Sequence, residues 1–315
     1  DWEAMTDIAK ATRARLAEVV DPKPLLRLKE TAKSPDGSVK RLWATKDDLL
    51  VESVLIPEKD HATLCLSSQA GCRLGCRFCA TGALGFKRDL TRGEILSQAL
   101  LAKGQEPFEA KPTNLVFMGM GEPLLNLGAV LGALEILTSP KHLAISGRRV
   151  SISTVGIPAA IQRLGQSPLN FGLTVSLGAP TNPLRDQLMP INREHPLEAL
   201  KAALAAYPLR RGRRITVAYV LLKGVNDSQS EALALSRYLS GLKTKINLIP
   251  FNPWPGAPFE RPGEEAIEKF RRTLAEKNHT VIVRWSKGLE VGAACGQLAG
   301  QKAKRRDPAE TLATP

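Results

Sequence analysis

Aromatic side chains make up only 5% of this 315-residue sequence, and it has five cysteines and four histidines. So few aromatics exclude an extended platform that stacks single-stranded bases. Five cysteines in a chain this long exclude a disulfide-stapled secreted scaffold. No apolar run approaches the roughly 18 residues of a membrane span. The start, Asp1-Trp2-Glu3, is charged, has no signal-peptide core and lacks an initiator Met. It reads as a fragment or trimmed chain of a cytoplasmic, monomeric protein that does not engage a membrane, in a compartment where free thiols persist.

What is present is apolar residues at 43%, enough for a large core, and a net charge of +13. The basic residues cluster at Arg148-Arg149, Arg210-Arg211-Gly212-Arg213-Arg214, Arg271-Arg272 and over 302–306. An excess of this size favours a polyanionic partner, although a charge run is often no more than a solvated face.

Four of the five cysteines fall within 65–79, and Cys72, Cys76 and Cys79 form C-x-x-x-C-x-x-C. A four-iron cluster normally takes four thiolates, so a trio this tight would leave one iron open to substrate. Zinc favours paired C-x-x-C motifs or added histidines, and only His61 lies near the loop. With Phe78 between its last two cysteines, the loop resembles that of the radical S-adenosylmethionine (radical SAM) superfamily. That resemblance implies a [4Fe-4S] cluster, with S-adenosylmethionine chelated by the open iron and cleaved to a radical.

Along the chain, residues 3–20 place Met5, Ile8, Leu16 and Val19 at helical spacing, predicting an amphipathic helix. Segments 25–32 and 38–45 flank the turn Ser34-Pro35-Asp36-Gly37 and predict a β-hairpin, with a further strand at 49–56. From 62 onward short β-branched runs alternate with helical ones: strands at 62–67, 114–118, 149–154, 171–177, 215–221 and 245–249, helices at 91–103, 126–138, 157–165, 196–206, 229–241 and 264–277. The expectation is an α/β fold: a partial (βα)6 barrel over 51–300, an N-terminal accessory region over 1–50 and a basic tail over 301–315. Barrel chemistry sits at the C-terminal strand ends. There lie the cysteine loop, Gly119-Met120-Gly121-Glu122-Pro123, Ser153, Ser176-Leu177-Gly178 and Asn252-Pro253. Gly119 and Gly121 would let a ligand approach the backbone, and Glu122 could accept from an ammonium group. Taken alone, Gly-x-Gly-Glu-Pro is ordinary turn chemistry; beside the cluster loop it resembles the superfamily strand that binds the S-adenosylmethionine amino group.

Cys295 stands apart in Gly292-Ala293-Ala294-Cys295-Gly296-Gln297-Leu298. A lone late cysteine is usually a small buried hydrophobe, but small flanking residues suit a mobile segment better. Together with Val51-Glu52-Ser53-Val54, Cys65-Leu66-Ser67-Ser68-Gln69, Gly121-Glu122-Pro123-Leu124-Leu125-Asn126, Met189-Pro190-Ile191-Asn192 and Lys245-Ile246-Asn247-Leu248-Ile249-Pro250, this stretch resembles the bacterial dual-specificity radical SAM RNA adenine-2 methyltransferases. The resemblance implies methylation of carbon 2 of an adenine in 23S ribosomal RNA at the peptidyl transferase centre and, in some members, in transfer RNA. By the same resemblance Cys295 carries the methyl group, Glu52 removes the carbon-2 proton, and Cys65 breaks the protein–RNA tether by forming a disulfide, which a protein reductant must reopen. Gly121, Glu122, Ser153, Ser176, Leu177, Gly178 and Asn252 are its expected S-adenosylmethionine contacts.

Two further expectations are open to test. Read without the family, Glu52 would face solvent from a strand. The family usually has Ser-Leu-His-Ala where this chain has Ser176-Leu177-Gly178-Ala179, so Gly178→His is expected to tighten cofactor binding or leave it unchanged. The rivals are the sibling adenine-8 methyltransferase and a non-catalytic iron–sulfur or zinc RNA-binding protein. The second would leave Cys65 and Cys295 unexplained.

Overall fold

The computed structural model describes residues 2–20, 23–103, 114–169 and 171–300. The tail expected over 301–315, with its basic run at 302–306, lies outside the described residues.

Helix α1 (Lys10–Val19) precedes an antiparallel meander, β1 (Arg27–Lys33), β2 (Val39–Ala44) and β3 (Leu50–Pro57), which leads into β4 (Ala62–Cys65). A small hairpin, β5 (Gln69–Gly71) and β6 (Phe86–Asp89), brackets the cysteine loop and the short helix α2 (Ala80–Ala83). The repeating part runs α3 (Arg92–Lys103), β7 (Asn114–Phe117), α4 (Leu127–Thr138), β8 (Val150–Thr154), α5 (Pro158–Gly165), β9 (Gly172–Ser176), α6 (Asn182–Leu188) and α7 (Leu197–Ala206). It closes with β10 (Ile215–Leu221), α8 (Gln229–Leu239), β11 (Thr244–Pro250), α9 (Glu264–Glu276) and β12 (Val281–Val283).

One sheet carries ten of the described strands in the order β1-β2-β3-β4-β7-β8-β9-β10-β11-β12, parallel from β4 onward and antiparallel before it. Sequential order with a helix between neighbours is that of a part-barrel, and strands covered on both faces must be apolar throughout. In β10, Ile-Thr-Val-Ala-Tyr-Val-Leu, every residue but Val220 is buried. Helix α9 turns Ile267, Phe270 and Leu274 to the core at spacings of three and four, and places Glu264 and Glu265 in its first turn, where the helix dipole favours them. Phe270 stacks on Tyr219 of β10 with ring centroids 5.5 Å apart, and burying each ring contributes roughly 1.5–3 kcal/mol.

All six expected barrel strands and their helices are present within a few residues. The amphipathic reading of 3–20 does not hold: α1 starts at Lys10 and buries nothing, with Met5 and Val19 exposed. Strand β12, helix α6 and the β5–β6 hairpin were not expected, each being too short for a periodicity to emerge. The meander shares the barrel's sheet through the β3–β4 pairing, and all six residues of β2 are buried, Lys40 and Arg41 included.

Candidate active site

The cysteine loop follows β4, so the barrel presents it at the C-terminal ends of the strands. Cys72, Cys76 and Cys79 line one cavity of about 160 Å3, with Gly119, Gly121, Glu122, Ser153, Ser176 and Cys295. Its backbone is fixed from several sides. Cys72 N donates to Gly85 O (2.9 Å), Arg77 N to Leu188 O (3.0 Å) and Ala80 N to Gly296 O (2.7 Å). Burial pushes the Cys72 thiol up to about 11, and burial with repulsion from Cys79 and Cys72 holds Cys76 well above its ordinary value. Three thiols facing one space, with Cys76 buried and Cys72 and Cys79 half-buried, therefore resist ionisation until a cationic centre joins them. This is a donor set that fits an iron–sulfur cluster.

The loop after β7 is wired to the one after β4. Ser67 Oγ accepts from Met120 N (2.8 Å), Gln69 Oε1 accepts from Glu122 N (2.8 Å), and Asn126 Nδ2 donates to Ser68 O (2.8 Å) and Leu90 O (2.7 Å). A Cβ at Gly119 would meet Leu66 O at 2.7 Å, and one at Gly121 (φ 95°) would run into Gln69. Those glycines thus let one loop approach another, and both also line the cavity to which a ligand is expected to come close. Glu122 is buried, accepts from Leu124 N (3.0 Å) and Val155 N (2.9 Å), and is pushed up to about 7 by desolvation. A cation in the cavity would restore its charge.

Ser153 and Ser176 also face this space, whereas Leu177, Gly178 and Asn252 do not line it. Leu177 is core. Gly178 has a left-handed φ of 75°, its carbonyl accepts from Asn226 Nδ2 (2.9 Å), and an added Cβ would overlap Met189 Sδ and sit 3.2 Å from its Cγ. A histidine there would have to displace the Met189 side chain and adopt a left-handed φ that L side chains rarely take, which weighs against the expectation that it is tolerated. Arg185, unremarkable in sequence as part of Asn-Pro-Leu-Arg, is fully buried. It donates to Leu177 O (2.8 Å), Asn192 Oδ1 (2.7 Å) and Val155 O (2.6 Å), tying the ends of β8 and β9 together behind Cys76.

Cys65 and Cys295 meet in a second cavity, about 130 Å3, with Met118, Arg284 and Trp285. Cys295, Met118 and Arg284 line both spaces. Burial, then repulsion from Cys295, pushes Cys65 up to about 12, with Arg284 opposing. Cys295 rides on a strap, residues 288–300, held over the barrel mouth by distant partners. Gly288 N donates to Asp36 Oδ2 (2.7 Å), Asn252 Nδ2 to Cys295 O (3.0 Å), Gln297 Nε2 to Pro253 O (2.6 Å) and Thr81 Oγ1 to Leu298 O (2.6 Å). Asn252, expected against the cofactor, is instead spent on this strap, on Ser286 (2.9 Å) and on Arg261 (2.9 Å). Glu52 does not face solvent: it is 1% exposed. It lies 3.1 Å from Lys40 Nζ and accepts from Ala299 N (2.9 Å), and desolvation raises its carboxyl. It lines neither cavity, since the strap covers it. Sequence reasoning missed Met118, Arg185, Arg284 and Trp285. Only the short gap from Arg284-Trp285 to Cys295 hinted at any of them.

Residues 66–235 match the Radical SAM superfamily. The chain is 47% identical over 309 residues to the dual-specificity RNA methyltransferase RlmN of Anaeromyxobacter sp. (strain Fw109-5), covering 95% of this chain and 80% of that protein. It is 44% identical to the RlmN of Syntrophobacter fumaroxidans, covering 95% and 87%. The crystal structure of a radical SAM methyltransferase from Sphaerobacter thermophilus superimposes with a TM-score of 0.89 at 41% identity, over 96% of this chain and 89% of that one. With Cys72, Cys76, Cys79 and Cys295 on one cavity and Cys295 also lining the cavity of Cys65, these likenesses establish that the chain belongs to the RlmN family of radical SAM RNA methyltransferases, whose cofactors are a [4Fe-4S] cluster and S-adenosylmethionine.

Proposed function

We propose that this protein methylates carbon 2 of one adenine in 23S ribosomal RNA and of an adenine in transfer RNA, through a methyl group carried on Cys295 and a protein–RNA tether broken by Cys65. The observation that carries this reading is the position of Cys295, which lines the cavity of the cluster cysteines and also the cavity of Cys65. A carrier needs access to the methyl source on one side and to a resolving thiol on the other.

Carbon 2 of adenine is an electron-poor sp² carbon and does not attack a methyl cation. When bound, the cluster and S-adenosylmethionine supply the methyl group and the one-electron chemistry that such a carbon requires. The chain's own residues do the rest. Gly121, Glu122, Ser153 and Ser176 orient the cofactor, Glu122 being turned anionic by its ammonium group. Cys295 presents the carbon, and once that carbon is bonded to the adenine, a base takes the proton from carbon 2. Glu52 is that base after the strap over it lifts, releasing the Ala299 bond while Lys40 holds the carboxylate in place. The Cys65 thiolate then attacks the Cys295 sulfur, forming the sulfur–sulfur bond as the sulfur–carbon bond breaks; the released carbon keeps that electron pair and takes up a proton to become the methyl group, and an external dithiol reductant returns both thiols. Burial keeps Cys65 protonated at rest, so attack waits until the opened strap admits water and lets Arg284 stabilise the thiolate. No described helix is long and apolar enough to cross a membrane, and a cytoplasmic monomer meeting ribosomal RNA is the setting we propose.

The test uses anaerobically reconstituted enzyme and unmodified ribosomal RNA, with the methylated atom mapped by nucleoside analysis. Methylation at carbon 8 would move the chain to the sibling activity. Cys295→Ala should give neither product nor adduct, while Cys65→Ala should accumulate a protein–RNA crosslink. Release of methylated RNA by Cys65→Ala at the wild-type rate, with no crosslink on a denaturing gel, rules the scheme out.

A further inference from the structure

Two of the basic clusters singled out in the sequence stand away from the catalytic mouth. Arg148 and Arg149 precede β8, and Arg210–Arg214 precede β10, so both stand at the N-terminal ends of strands, the pole opposite the cysteines. Around β10, β11 and β12 three helix-to-strand returns converge on a cleft of about 750 Å3. Among the described residues six cations line it, Arg210, Arg211, Arg213, Arg214, Lys243 and Lys277, and no Asp or Glu does.

We propose that this cleft is a second RNA-binding site, which takes backbone phosphates of the substrate far from the nucleotide being methylated.

Three observations carry the inference, which rests on the RNA-methyltransferase reading above. First, the charge is uncompensated: among the described residues no ion pair involves any of the six. Like charges gathered in a concave wall repel one another and concentrate counter-ions, which a polyanion displaces with a gain in entropy. Second, the donors are incompletely used. Arg210 reaches Pro168 O (3.1 Å) and Arg214 reaches Thr280 Oγ1 (2.7 Å), but Arg213 Nη2 is buried with no hydrogen-bond partner. A guanidinium fork offers paired N–H groups that match phosphate oxygens. Third, the position selects a long ligand. Arg214 adjoins β10, whose Ala218 and Val220 line the cluster cavity. At ~3.3 Å per residue the cleft lies roughly 13–20 Å away through the barrel, and farther around its outside. A mononucleotide cannot span that distance, but a folded RNA held at the mouth can reach it with a neighbouring helix.

The test measures equilibrium binding of the full chain across a potassium chloride series, with two RNAs: a long ribosomal fragment containing the target, and a short stem-loop that does not extend beyond the catalytic mouth. The variants are Arg211→Gln/Arg213→Gln/Lys277→Gln and the charge-keeping Arg211→Lys/Arg213→Lys. Each lost phosphate contact should lower the slope of log affinity against log salt by about 0.7–0.9. For the long fragment the Gln variant should therefore lose about two units of slope and at least tenfold in affinity at low salt, while stem-loop binding stays put. The Lys variant should keep the slope, which separates lost charge from damaged folding. Unchanged slope and affinity for the long fragment would overturn the proposal, as would equal losses for both RNAs. Because the readout is binding, a failed methylation assay leaves the RNA affinity of the cleft untouched and counts only against the proposed reaction.

Discussion

The two halves of the catalytic mouth are built on opposite principles. The cysteine loop packs three thiols into eight residues, 72–79, on one cavity wall. The strap brings its single thiol from a distant part of the sequence, and its hydrogen bonds run to residues far away in the chain: Gly288 to Asp36, Leu298 to Thr81, Ala299 to Glu52. Closing long loops costs entropy that only tertiary bonds repay. The cluster half is therefore compact in sequence as well as pinned by Leu188 and Gly296, and the strap half is held only while its latches hold. The methyl carrier we propose at Cys295, lining two cavities, would fit the releasable half.

The harshest way to break the comparison is to take a thiol from the local half. Cys76→Ala should abolish iron binding and S-adenosylmethionine cleavage, read by iron content and 5′-deoxyadenosine release, whereas Cys295→Ala should retain iron. Equal iron loss in both would mean that the halves are one unit.

Glu122 probes the electrostatics of the cluster half. Its folded carboxyl stands at about 7 against an ordinary 4.5, so the folded state holds the proton more tightly. The stability this contributes is fully present below about pH 4.5 and is lost as pH rises through 7, a swing on the order of 3 kcal/mol. Cluster-free protein should melt progressively lower from pH 5 to pH 8, and Glu122→Gln should flatten that dependence. A wild-type curve flat across the range would contradict the buried, desolvated site.

Gly178→His sharpens the same side. With φ at 75° and Met189 in the way, the substitution should weaken S-adenosylmethionine binding at least tenfold, about 1.4 kcal/mol. Equal or tighter binding by calorimetry would show that Met189 yields.

The smallest effect belongs to a latch. Asp36→Ala removes the acceptor of Gly288 N, a charge-assisted bond of about 1.5–3 kcal/mol at most. It should raise protease cutting within 288–300 severalfold while leaving cluster content intact. Unchanged cutting would mean that Asn252 and Thr81 suffice to hold the strap.

The sequence by itself determined the barrel and the cluster. Alternating β-branched and helical runs encode strand-then-helix order locally, and Cys72, Cys76 and Cys79 are neighbours before any folding occurs. Resemblance to a family, rather than spacing, singled out Cys65, Cys295 and Glu122. Tertiary structure alone decided the rest, because it depends on which distant groups meet. Glu52 is a buried acid under a strap and not a surface strand residue, since Lys40 and Ala299 arrive from two separate segments. Asn252 serves the strap, Met189 packs against Gly178, and Arg185 ties the ends of β8 and β9 together from a helix too short to show a period. The arginines after α7 gather at the pole away from the chemistry, because in a parallel barrel every helix-to-strand return falls at the N-terminal end. No count of charges along a chain carries that direction.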